Sequence, residues 1–196
     1  QVDISDLLEA TKSQLQDEAD YALEASYIKK YQSYLNSADF VVTQIGWDMK
    51  KLQELILFTK MRDLHVPVIA RLSLISREDG EKFTDLSLNP GVTVSREFAS
   101  QIQRELASGN QFKVTQLKRL CLQIAGCALM GYSGVQICGL KTAFELKTVM
   151  ETAKKMMGEY RTFREWADEW KSFHHVVEMV TPPYTFYMFK NLMNFK

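Results

Sequence analysis

Apolar residues recur at alternating spacings of three and four through the last third of the chain: Leu146, Val149, Ala153, Met156, Tyr160, Phe163, Ala167, Trp170, His174 and Val177. All but His174 are apolar or aromatic. This period places the set on one stripe of a helix, so residues 146–177 are predicted to form one long helix with a face to bury. Thr142-Ala-Phe-Glu145 reads as a capping box that starts it. Pro182-Pro183 ends it, because proline cannot continue the hydrogen-bond ladder and restricts its predecessor. Two-stranded coiled coils hold mainly Leu, Ile and Val in their seam. Here Ala, Tyr, Phe and Trp fill it, and Met150, Met157, Trp166 and Phe173 widen it. That mixture favours packing within a bundle, with a dimerising or partner-docking helix as the alternative.

The same periodicities divide the rest of the chain. Asp3 or Ser5 can cap a first helix reaching about Leu35, very polar from Glu9 to Asp20 and better patterned from Tyr21 to Leu35. Asn36-Ser37 is a break and new cap, and a second helix follows from Ala38 to about Asp63. Val41, Ile45, Leu52 and Ile56 mark its stripe, which Phe40, Trp47, Leu55 and Phe58 widen. At Val66, Val68, Ala70, Leu72 and Leu74 the period shifts to two, the spacing of a half-buried strand. Asp79-Gly80 then reads as a hairpin turn, with Phe83, Leu86 and Leu88 on the return strand. Thr93 or Ser95 opens a third helix through Phe98, Ile102 and Leu106, closed by Ser108-Gly109-Asn110. A fourth starts near Val114.

Residues 121–140 carry no charge. Twenty such residues match the thickness of a bilayer core. Four glycines, Gln123 and Gln136 argue instead for a buried core segment, and Gly131-Tyr-Ser-Gly134 looks like a break between two helices.

Composition changes the picture in two respects. Lys+Arg and Asp+Glu balance at 24 each, so the chain lacks the broad positive field of nucleic-acid binders, and any basic patch must be made by folding. The three cysteines, Cys121, Cys127 and Cys138, form no CxxC pair and read as buried reduced thiols, which points to a cytoplasmic setting. The chain opens Gln1-Val2-Asp3 rather than with Met, as expected of a processed product or an excised piece.

Candidate chemistry is sparse. His174 and Glu178 lie four apart, but the order is reversed from known helical metal motifs and no second set exists. A Cys127–His174 nucleophile pair has no support from sequence. The mixed charges from Arg164 to Lys171 read as a solvated face. No P-loop, GxGxxG or serine elbow is present, and no catalytic residue, metal ligand or cofactor is assigned. The apolar tail supplies the partner-contact candidates, Tyr184, Phe186, Tyr187, Phe189 and Leu192.

The expected fold is mainly α: a single domain over 1–196, a multi-helix bundle with long helices and one small β-hairpin near 66–88, inserted within 66–91. The expected function is a non-enzymatic protein-interaction or assembly module, binding a protein partner or itself through helical faces. One alternative is a membrane-acting, pore-forming or effector protein that stores residues 121–140. Another is a helical RNA-binding nucleoprotein fragment, which the zero net charge disfavours.

Overall fold

The computed structural model describes residues 26, 29, 30, 33, 34, 37–83 and 94–174. The chain divides into two compact units, Gln1–Ala38 and Asp39–Lys196. In the first, the described residues 26 to 37 are helical and exposed. Ser37 does not cap a new helix. Its hydroxyl donates back to the Ser33 carbonyl at 2.8 Å, one turn earlier.

The second unit is mainly helical, with a small three-stranded parallel sheet. Its elements run β1 (Val41–Val42), α1 (Met49–Met61), β2 (Val68–Ser73), α2 (Arg77–Lys82), α3 (Arg96–Leu106), α4 (Gln111–Met130), β3 (Gly134–Cys138), α5 (Ala143–Glu159) and α6 (Phe163–His174). The strands lie in the order β1-β2-β3, with Val41 opposite Val68, Ile69 opposite Gly134 and Ser73 opposite Cys138. Each crossover carries at least one helix, the usual connection between parallel strands.

The helix expected over 38–63 begins only at Met49. Asp48 caps it, its carboxylate accepting from the amides of Lys50 (3.0 Å) and Lys51 (3.3 Å). The β-branched run Val41-Val42-Thr43 prefers extended backbone and becomes β1 and its continuation. Phe40 is exposed, and Trp47 lies in the loop before α1.

The alternation at Val68, Ala70 and Leu72 is real, since all three are buried. Among the described residues no hairpin follows it. Asp79-Gly80 lies inside α2, where Asp79 and Ser76 form a reciprocal capping box. Gly80 serves close approach rather than a turn: a Cβ there would meet Ile102 Cγ2 at 3.1 Å and Phe112 Cζ at 3.3 Å. Both neighbours of β2 run parallel to it. Leu86, Leu88 and Thr93 lie outside the described residues.

Ser95 caps α3 by accepting from the Phe98 amide at 3.2 Å. Helix α4 starts at Gln111, one turn before the expected Val114, which is exposed. It ends on Gly131 at φ +94°, a left-handed position suited to glycine. Beyond Gly131 the chain forms β3 rather than another helix, since Val135 and Ile137 supply the β-branched pattern. The uncharged stretch is thus helix over its first half, to Met130, with the five-residue strand Gly134–Cys138 beyond it, and most of its helical part, from Cys121 to Cys127, is buried. Among the described residues no helix is long and apolar enough to cross a membrane.

The long heptad helix is broken. Tyr160, at φ −98° and ψ 119°, ends α5 in extended backbone, and α6 starts at Phe163. Both helices open alike: Thr142 accepts from the Glu145 amide and Thr162 from the Glu165 amide, while each glutamate accepts from the amide just before its threonine. The main core joins the Val68, Ala70 and Leu72 face of the sheet to α1, α4, α5 and α6. Trp166 and Trp170 are buried in it, stacked at 5.7 Å. A smaller core gathers Ile75, Phe83, Ala99, Ile102, Leu106 and Phe112.

Candidate functional site at the carboxyl edge and open face of the sheet

In parallel β/α architectures ligands bind beyond the carboxyl ends of the strands, because strand-to-helix loops converge there and leave backbone groups free. Here β2 runs into Leu74-Ile75-Ser76 and β3 into Gly139. Between these loops and the start of α4 lies a cleft of about 400 Å³. Gly139 holds the loops together at φ +82°, where a Cβ would sit 2.6 Å from the Leu74 carbonyl oxygen.

The polar lining comes from separate segments: Arg77, Asn110, Lys113, and Lys141 with Glu145. Arg77 is held in place, donating from a terminal nitrogen to the Gly109 carbonyl at 3.0 Å with its guanidinium 5.7 Å from the Phe112 ring centre. Lys113 Nζ pairs with Glu145 at 2.6 Å, and the other Glu145 oxygen accepts from the Lys141 amide at 2.8 Å. These contacts, the Lys113 bond first, hold the Glu145 carboxyl below its ordinary range. One carboxylate thus shares the cleft with three cations.

The second feature is the sheet face turned away from the core. Residues paired in a parallel ladder share a face, so Val42, Ile69, Arg71, Ser73, Gly134, Gln136 and Cys138 lie opposite the core. None is buried, and Gln136 is exposed. Arg71 Nε donates to Gln136 Oε1 at 2.8 Å, and the Arg71 amide donates to Thr43 Oγ1 at 2.9 Å. The first bond uses the amide oxygen of Gln136, so its NH₂ is a donor on this face. The face therefore presents donors to an acceptor-rich surface.

Other residues considered from sequence fare differently. Tyr184, Phe186, Tyr187, Phe189, Leu192, His175 and Glu178 lie outside the described residues. His174 ends α6. Cys127 is fully buried, and burial pushes its thiol up to about 12, so it stays protonated at neutral pH and is no nucleophile. Cys121 is likewise pushed up to about 11. Within the solvated run of α6, Glu169 reaches Lys118 at 3.2 Å. Among the described residues no group of three or more His, Cys, Asp or Glu side chains gathers as a metal site.

Sequence reasoning missed Arg77, Lys113 and Lys141 because only strand pairing brings them together. Reading Gly134–Cys138 as a strand was the available signal. Comparison with protein-family models, curated proteins and solved structures finds no match to this chain.

Proposed function

We propose that the chain is a non-enzymatic assembly module that associates with a second copy of itself through its sheet. The observation that carries this is a parallel sheet that, among the described residues, is buried on one face only. Parallel sheets are almost always buried on both faces, because their helical crossovers and neighbours enclose them. Among the described residues nothing buries the face of Arg71 and Gln136, and no strand pairs β1 or β3 on its outer side.

The outer strand also lacks protection. Exposed edges are normally blunted by lysine, proline or a bulge. Here β3 reads Gly-Val-Gln-Ile-Cys, with no charge and no proline, and pairs with β2 without an inserted residue. Zero net charge adds no repulsion between copies. Sequential strand order resembles the wall of a β/α barrel, an arrangement that excludes water from its inner face only when further strands are added.

Sedimentation velocity over a concentration series tests this. The wild type should shift to a larger species with concentration. Gln136→Lys, which sets a second cation beside Arg71 on an exposed position, should stay monomeric with its unfolding midpoint retained. A wild type that remains monomeric throughout contradicts the proposal.

A second reading is favoured by α5, where Phe144 is 78% exposed, Leu146 46% and Met150 49%. The start of the heptad stripe is thus left uncovered while Val149 and Ala153 are buried. A partner docking on this helical face would be lost in Phe144→Glu and kept in Gln136→Lys. The tail residues Tyr184, Phe186, Tyr187, Phe189 and Leu192 belong to the same reading as contact candidates, and their removal is its second test.

A further inference from the structure

We infer that the cleft at the carboxyl ends of β2 and β3 binds a small phosphorylated molecule through its phosphate group. The inference stands apart from the assembly proposal, because no residue of the open sheet face lines this cleft.

The chain as a whole is neutral, yet this cleft collects Arg77, Lys113 and Lys141 against Glu145 alone. The excess of positive charge is created by folding: β2, α4 and β3 must pack before the three cations share one rim. Its size, about 400 Å³, falls within the range of small-molecule sites. The floor is apolar, from Leu74, Ile75 and Phe112, which lowers the local dielectric and strengthens each charge–charge contact above it.

The three cations have different duties. Arg77 is preorganised, anchored on Gly109 and the Phe112 ring, and its other guanidinium N–H groups remain for a ligand in the planar fork that suits phosphate. Lys113 is fixed by Glu145, which sets its place and offsets its charge. Lys141 is exposed and forms no ion pair with a described residue, so its ammonium is the cation left to close over an anion. The Asn110 amide stands at the same rim, whereas the Ser76 hydroxyl there is engaged by Asp79 in the cap of α2. Nucleic acid is a poorer match. The cationic surface is one cleft rather than a stripe, and phosphate tracks need many spaced contacts.

Titration calorimetry with pyrophosphate, and with succinate as a carboxylate comparator at equal ionic strength, tests the inference. Pyrophosphate should bind saturably with a stoichiometry near one per chain. Arg77→Gln and Lys141→Gln should each weaken it by roughly tenfold or more, as expected for loss of a charge-assisted hydrogen bond. Lys154→Gln, an exposed change on α5 outside the cleft, should leave binding unaltered. Lys141 is exposed and its ammonium is in no ion pair with a described residue, so Lys141→Gln keeps the test sound if Arg77→Gln perturbs folding. No saturable binding to the wild type up to about 10 mM overturns the inference. So does equal affinity for succinate, or equal weakening by Lys154→Gln.

Discussion

Trp166 lies directly over Gly126, its indole N–H donating to the Leu122 carbonyl at 2.8 Å, so that a Cβ at position 126 would fall 2.2 Å from the ring. This contact fastens α6 to the middle of α4 and explains why a glycine interrupts a buried helix. Two effects oppose each other in Gly126→Ala. Alanine gains about 1 kcal/mol of helix propensity. Overpacking against a ring fixed by its own hydrogen bond costs about 1–3 kcal/mol. The clash should win, giving a lower urea midpoint. A variant as stable as wild type, or more stable, would show that Trp166 does not sit there.

Arg119 is the second tie between helices. It is 1% exposed, pairs with Glu105 and Gln116, and lies between the rings of Phe98 (5.3 Å) and Phe173 (5.4 Å). Burial pulls its guanidinium down from its ordinary value, and Glu105 opposes that shift. Glu105→Leu removes the carboxylate partner of this buried cation, at a cost of about 3–5 kcal/mol. Replacing both, Arg119→Met with Glu105→Leu, should restore much of the loss. A double variant no better than Glu105→Leu in chemical denaturation would contradict this account.

The buried thiols set an alkaline limit. Cys127 rises from 9.0 to about 12 on burial, so the folded state holds its proton where the unfolded state has released it. Its contribution is fully present below about pH 9, declines as pH rises from there, and is gone once the folded thiol titrates. Cys127→Ala should therefore lose less stability than wild type between about pH 8 and pH 10.5, whatever its own cavity costs. Equal losses, measured as urea midpoints, would contradict the assignment.

Thiol reactivity should follow the same geometry. Cys138 is half-buried on the open face, whereas Cys121 and Cys127 are buried, with Cys121 Sγ near the Val149 carbonyl. In native buffer one thiol per chain should react with a disulfide reagent and three after denaturation. Fast reaction of all three without denaturant would contradict the packing.

How much of this was legible depends on range. Caps are local chemistry, and Ser95 and Thr142 act as their spacing implies. Thr162-Phe-Arg-Glu165 carries the same signature and was hidden only by the continuous apolar period across Tyr160. Val68, Ala70 and Leu72 announced a strand through alternation, but not its partners. A parallel neighbour lies across a helix, so Arg71 meets Gln136 from 65 positions away. Asp79-Gly80 misled because the same dipeptide suits a turn or a capping box, and tertiary contact with Ile102 and Phe112 selects the second. The cationic cleft was illegible for the same reason as the sheet.

Amide hydrogen exchange of Gly134–Cys138 at low and high protein concentration puts the sheet assembly to the most direct test. Self-association through the sheet at β3 predicts that these amides exchange more slowly at high concentration, with Gln136→Lys abolishing the difference. Exchange that is the same at both concentrations, or slowing confined to Phe144–Met150, would contradict it.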